Sequence, residues 1–206
     1  MTEPRLYPMM FQPNLHQVIW GGTRLAPWKR LNLTETEAPV GESWEVSAVA
    51  SSPSIIANGK HAGRLLPDVI SEMPDDILGS AVAKRYGNKL PLLVKFIDAE
   101  HDLSIQVHPD DTMAQREHGK FGKTEMWYVI DAKPGAYLYA GFKEQLSEEE
   151  YKRKISDGTI TEALARHEVH AGDVFYIPAG RVHAICGGIL LAEVQQSSDV
   201  TYRIFD

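Results

Sequence analysis

The chain of 206 residues has one cysteine and no apolar run long enough to form a membrane span. A single cysteine, Cys186, cannot form an intramolecular disulfide, and a transmembrane helix needs about 20 consecutive apolar residues. The segment from Met1 to Val18 also lacks the basic start, apolar run and small-residue cleavage site of a secretory signal. We therefore expect a soluble protein of the reducing cytoplasm, without a membrane partner.

An excess of positive charge is lacking as well. The formal net charge is -7, with both signs interspersed along the chain, so no basic stripe is available to neutralise nucleic-acid phosphates. No internal repeat, low-complexity tract or Gly/Ser linker divides the sequence. We expect one domain over residues 1–206 and no nucleic-acid partner, and the sequence gives no indication of the oligomeric state.

Short runs rich in Val, Ile, Tyr, Phe and Trp, separated by Gly, Pro, Asp and Asn, dominate the chain. This pattern predicts an all-β sandwich or barrel. The predicted strands cover residues 41–49, 92–97, 103–107, 125–130, 136–139, 173–177, 189–195 and 200–205. Two interruptions predict helical insertions, near residues 66–86, divided by Pro74, and near residues 147–166, which begin with a capping-box pattern at Ser147.

Three polar residues share one face of the predicted strand at residues 103–107. Side chains alternate between the faces of a strand, so Ser104, Gln106 and His108 lie on one side and three apolar residues on the other. Three polar side chains on one face could belong to a functional site. An edge strand with its polar face in water would give the same pattern. The pattern alone leaves both interpretations open.

Glu125 favours a metal site, because it begins a run that is apolar on both faces, as in a buried strand. A buried carboxylate needs a partner or a metal. The alternative is an ion pair with Lys123, two positions earlier on the same face.

A strand, a Pro/Gly turn and a histidine follow one another at residues 172–183, with the spacing G-x5-P-x-G-x2-H. This spacing resembles the second conserved motif of the cupin superfamily, whose jelly-roll barrels often bind a metal inside the barrel. The resemblance implies that His183 is a metal ligand. It says little about the reaction, because cupins support many chemistries.

Several linked motifs resemble one family within the cupins, the type I mannose-6-phosphate isomerases. They are S-I-Q-V-H-P-D-D at residues 104–111, G-K-T-E-M-W-Y at 122–128, P-A-G-R-V-H-A at 178–184 and the ending at 193–203. The resemblance implies a cupin jelly-roll with one zinc ion per chain, held by Gln106, His108, Glu125 and His183. It also implies interconversion of mannose 6-phosphate and fructose 6-phosphate through a cis-enediol, with the zinc polarising the oxygens on carbons 1 and 2.

The same resemblance suggests further site residues. Catalytic roles are predicted for Arg203, Lys123, Glu193 and Asp199, with the two carboxylates as candidate bases, although either could be an ordinary structural ion pair. Substrate contacts are predicted for Ser104, Lys95 and Arg203; Lys95 could instead be a core lysine that reaches solvent. Aromatic residues such as Trp20, Trp44 and Trp127 could line a sugar pocket, but aromatics in strands more often belong to the core.

Other functions remain open from the sequence. One alternative is a non-catalytic metal cupin that binds a sugar phosphate; another is a different metal cupin, such as an iron oxygenase or a cupin-type glucose-6-phosphate isomerase. Family members commonly continue into a second β-rich segment, whereas this chain stops three residues after Arg203. The chain is therefore expected to be either a fragment or a minimal form.

Overall fold

The computed structural model of the chain describes residues 6–32 and 39–206, which form two antiparallel sheets with short helices between the strands. The strands are β1 (Leu15–His16), β2 (Glu42–Val46), β3 (Leu92–Ala99), β4 (Ile105–Val107), β5 (Glu125–Ala132), β6 (Tyr137–Phe142), β7 (Leu164–Glu168), β8 (Val174–Ile177), β9 (His183–Ile185), β10 (Ile189–Gln196) and β11 (Tyr202–Phe205). The helices are α1 (Leu25–Trp28), α2 (Leu66–Glu72), α3 (Pro74–Leu78), α4 (Ser80–Tyr86), α5 (Asp111–His118), α6 (Glu148–Ser156) and α7 (Ile160–Ala163), with a 3-10 turn at Gly59–His61.

The two sheets pack against each other around a common core. One sheet has the strand order β1-β2-β3-β10-β5-β8 and the other β11-β4-β9-β6-β7. The largest core cluster takes side chains from both sheets, including Trp127 and Leu191 from the first and Leu138 and Ile185 from the second. The predicted all-β sandwich with short helical insertions is confirmed.

The register of the six-stranded sheet places one row of residues across its inner face. Lys95 of β3 pairs with Glu193 of β10, and Glu193 pairs with Trp127 of β5. Directly paired residues on neighbouring strands point to the same face. All three side chains are buried, so the sheet carries a lysine, a carboxylate and an indole side by side in its interior.

The helical insertions agree only in part with the helices predicted from the sequence. The segment at residues 66–86 breaks at Pro74, as predicted, and again at Gly79, whose φ of 80° lies in the left-handed region. In the second insertion the capping box at Ser147 is present. The prediction of helix up to residue 166 is wrong, because Leu164 begins β7, where it is fully buried and pairs with Phe142 of β6.

Helix α5 was not predicted, although its N-cap can be read from the sequence. The Asp110 side chain accepts a hydrogen bond from the backbone N–H of Met113, which satisfies one of the free donors at the helix start. After α5 the chain returns against this turn: a Cβ on Gly122 would lie 2.5 Å from the backbone nitrogen of Asp111, and the Lys123 N–H donates to the Pro109 carbonyl over 3.0 Å. The start of β5 is thereby fixed beside the end of β4.

None of the helices in residues 6–32 and 39–206 is both long enough and apolar enough to span a bilayer.

Candidate metal centre and its cavity

A cavity of about 980 Å³ is lined by strands of both sheets. It brings together eight of the ten site residues predicted from the sequence, namely Lys95, Ser104, Gln106, Lys123, Glu125, Glu193, Asp199 and Arg203. The other two, His108 and His183, lie against Glu125 in its wall.

The side chains of His108, Glu125 and His183 converge at the buried end of this cavity. Their ligand atoms lie within 4.8 Å of one another, and all three residues are buried. His108 Nε2 lies 3.3 Å from Glu125 Oε1, and His183 Nε2 lies 3.6 Å from Glu125 Oε2. His108 follows β4 and His183 begins β9, both in one sheet, and Glu125 begins β5 of the other sheet. This triad therefore joins the two layers.

Backbone contacts determine which ring nitrogen of each histidine carries the proton. His108 Nδ1 lies 3.0 Å from the Val200 carbonyl oxygen, and His183 Nδ1 lies 2.9 Å from that of Arg181. A carbonyl oxygen only accepts hydrogen bonds, so Nδ1 of each ring is the donor. Burial lowers the pKa of both imidazoles, that of His183 to about 4, so both rings are neutral at pH 7.

The remaining ring nitrogens therefore present lone pairs to a carboxylate. Neither Nε2 atom has a hydrogen-bond partner, and Oε2 of Glu125 also has none. Burial opposes ionisation of Glu125, but the charge of the nearby Lys123 opposes this effect, and the pKa of Glu125 lies well below the usual range. Three electron-pair donors facing one another without a proton between them fit a bound cation.

Two further residues complete the surroundings of the triad. Gln106 pairs with His183 across the β4–β9 ladder and lines the cavity, so its amide oxygen is a fourth candidate ligand. Lys123 Nζ lies 3.2 Å from Glu125 Oε1. The Lys123–Glu125 ion pair anticipated as an alternative therefore exists, and it coexists with the two histidines rather than replacing them.

Lys95 meets two carboxylates in the cavity wall. Its Nζ lies 3.1 Å from Glu193 Oε1 and 3.3 Å from Glu42 Oε1, and the lysine is 7% exposed. Burial alone would lower the pKa of Lys95, but the two carboxylates raise it above its ordinary value, so the ammonium is kept charged. Lys95 is therefore not a lysine that reaches solvent.

Each of these carboxylates also accepts a hydrogen bond from a tryptophan. The indole N–H of Trp127 donates to Glu193 Oε2 over 2.8 Å, and that of Trp44 donates to Glu42 Oε2 over 2.7 Å. Burial, together with the charge of Glu125, raises the pKa of Glu193 against the opposing effect of Lys95. The cavity thus holds a carboxylate of increased basicity near the triad.

The other predicted residues lie towards the open side of the cavity. Asp199 is bound at 2.6 Å by Lys120, both side chains are substantially exposed, and this hydrogen bond lowers the pKa of Asp199. Arg203 of β11 is exposed and pairs with Gln106 of β4. Ser104 precedes β4. Asp199 has the geometry of a surface ion pair, whereas Glu193 is enclosed.

Ten lining residues were not assigned to the site from the sequence, and three of these offer an imidazole, a carboxylate and an indole. The three are His16, whose ring stacks on Trp44 with centroids 4.5 Å apart, and Glu42 and Trp20. The alternation of Glu42 and Trp44 along β2 was a readable signal that both point inward. His16 carried no such signal, because only the pairing of β1 with β2 brings it to the cavity.

Comparison with known proteins agrees with this geometry. The family model "Phosphomannose isomerase type I, catalytic domain" matches residues 9–137. The mannose-6-phosphate isomerase of Streptococcus mutans is 40% identical over 199 residues, which cover 97% of this chain and 60% of that protein. Mannose-6-phosphate isomerase ManA of Bacillus subtilis is 40% identical over 200 residues, which cover 97% of this chain and 61% of that protein.

A solved structure gives the same result. The crystal structure of the mannose 6-phosphate isomerase from Bacillus subtilis matches with a TM-score of 0.88 and 37% identity, over 97% of this chain and 61% of that one. The chain thus spans about three fifths of the length of these relatives. On the extent of the family match and of these similarities, the chain belongs to the type I phosphomannose isomerase family.

Proposed function

We propose that this chain carries the active site of a zinc-dependent isomerase that interconverts mannose 6-phosphate and fructose 6-phosphate. The observation that carries the proposal is the triad of His108, Glu125 and His183, which opens on a cavity holding a second, buried carboxylate. Relatives named as mannose-6-phosphate isomerases at about 40% identity support the choice of substrate. We further propose that residues 1–206 form one cupin-type domain and that the protein acts in the cytoplasm, where buried Cys186 stays reduced.

The donor set supports zinc as the metal, one ion per chain. Imidazole nitrogens, a carboxylate oxygen and an amide oxygen form the mixed set that zinc accepts, and Gln106 would be the fourth ligand beside His108, Glu125 and His183. When bound, zinc supplies a Lewis acid that stabilises negative charge on the oxygens of carbons 1 and 2.

Glu193 is the residue that we propose as the proton-transfer base. In the aldose-to-ketose direction it takes the proton from carbon 2, the hydroxyl proton on oxygen 2 moves to oxygen 1, and a cis-enediolate with its charge on oxygen 2 results. Return of the proton to carbon 1 leaves a carbonyl at carbon 2 and gives the ketose. The raised pKa of Glu193 suits this exchange, whereas the surface pair with Lys120 makes Asp199 a weaker base.

The phosphate is proposed to bind towards the open side of the cavity, at Arg203 and Ser104. A guanidinium matches phosphate geometry through two parallel hydrogen bonds, and both residues line the cavity. Lys95 is already held by two carboxylates, so we assign it to a substrate hydroxyl rather than to the phosphate. Lys123, beside Glu125, would contact the reacting end of the sugar.

Metal binding can be tested without turnover. We expect the purified chain to contain about one zinc ion, and Glu125→Ala and His183→Ala to contain less than a tenth of that amount, because each removes a ligand and leaves unpaired donors behind. His170→Ala, which changes an exposed histidine, is the control. Elemental analysis measures the content; unchanged zinc in Glu125→Ala would exclude the triad as the site.

Isomerase activity is expected to depend on the metal. The chain should convert mannose 6-phosphate to fructose 6-phosphate in a coupled assay, lose the activity on chelation and regain it when zinc is restored. Glucose 6-phosphate, which differs from mannose 6-phosphate only at carbon 2, serves as the specificity control. Zinc-loaded protein that converts neither sugar would favour the non-catalytic binding protein.

The two candidate bases can be separated by mutation. Glu193→Gln is expected to lower kcat about 10²- to 10⁴-fold, because it removes the proton acceptor but keeps the shape. Asp199→Asn should change kcat less than about fivefold, since it removes only an exposed ion pair. Steady-state kinetics on both variants decides between them, and the reverse order of effects would make Asp199 the base.

A further inference from the structure

The indole of Trp127 is in contact with both functional parts of the cavity, the proposed base and the metal triad. It is fully buried on β5, donates to Glu193 and lies against the ring of His183. We propose that Trp127 is a positioning residue that holds the Glu193 carboxylate in register with the metal triad, an inference that rests on the proposed function.

A hydrogen bond fixes the orientation of the Glu193 carboxylate. The indole N–H is a donor without acceptor capacity, and burying it without a partner is costly. It donates to Glu193 Oε2 over 2.8 Å, while Oε1 of the same carboxylate lies 3.1 Å from Lys95 Nζ. Because Oε2 accepts the indole hydrogen bond and Oε1 forms an ion pair with Lys95, the plane of the carboxylate cannot rotate freely.

The ring of Trp127 also contacts a proposed metal ligand, His183. The rings of Trp127 and His183 are 5.4 Å apart between centroids and inclined at 76°, an edge-to-face arrangement. His183 is itself held by the carbonyl of Arg181. One rigid side chain with two χ angles therefore sets the distance between the base and the triad.

The second tryptophan–carboxylate pair shows what is particular to Trp127. Trp44 donates to Glu42 in the same way on the other side of Lys95. Its ring, however, stacks on His16 and is only partly buried. The described contacts of Trp44 do not reach the triad, so Trp127 alone of the two connects a carboxylate to a metal ligand.

A purely structural role makes a different prediction. Trp127 also belongs to the main hydrophobic core, together with Val129 and Leu191. If filling this core were its whole role, removing the N–H at constant ring shape would leave the proton-transfer step unchanged. If it positions Glu193, the same change must slow that step while the metal stays bound.

The test compares the metal-loaded protein with three variants. In Trp127→Phe the N–H is lost and an aromatic ring is kept; in a second variant, benzothienylalanine at position 127 replaces the N–H by sulfur with almost the same shape, so folding is preserved. Trp28→Phe is the control, because Trp28 is 46% exposed and packs on Phe96 outside the cavity. Zinc content, kcat, KM and the deuterium isotope effect with C2-deuterated mannose 6-phosphate are measured for each.

Both position-127 variants are expected to lose about tenfold to hundredfold in kcat, with KM within about twofold, zinc retained and a larger isotope effect. Trp28→Phe should match the unmodified protein in every readout. A benzothienylalanine variant with unchanged kcat and isotope effect would overturn the inference, as would a loss of kcat that only follows loss of zinc. An unmodified protein without isomerase activity would instead refute the proposed function.

Discussion

The ionised carboxylate of Glu125, enclosed between two imidazoles and a lysine, is the interaction on which the site depends. Removing a carboxylate from water costs several kcal/mol unless charges and hydrogen bonds compensate for it. Lys123 supplies part of the compensation at 3.2 Å. The two Nε2 atoms supply none, because each presents a lone pair, so a cation among the three donors would satisfy all of them.

The sandwich brings these donors together from separate parts of the chain. Glu125 begins β5 in one sheet, while His108 follows β4 and His183 begins β9 in the other, so the layers must pack in one relative position for the triad to form. The tight return of the chain at Gly122 fixes β5 beside β4. The row of Lys95, Glu193 and Trp127 across the inner face then places the Glu193 carboxylate, the proposed base, beside the triad.

Much of this site could be predicted from the sequence, because its strongest signals are local. The strand alternation around His108, the start of an apolar run at Glu125 and the turn before His183 each lie within a few residues. The partners of the charged groups could not be predicted in this way. Lys95 meets Glu42, 53 residues away, through the pairing of β2 with β3, and Lys120 meets Asp199, 79 residues away. The same limit explains β7, whose strand conformation comes from pairing with β6 rather than from its own pattern.

The central claim is that a zinc ion lies among His108, Glu125 and His183, and anomalous X-ray scattering tests it most directly. Diffraction data collected on either side of the zinc absorption edge locate the ion independently of activity. The account predicts one anomalous peak per chain, about 2.0–2.2 Å from both histidine Nε2 atoms and from a carboxylate oxygen of Glu125. A zinc-containing crystal whose peak lies elsewhere, with no peak at this triad, would contradict it.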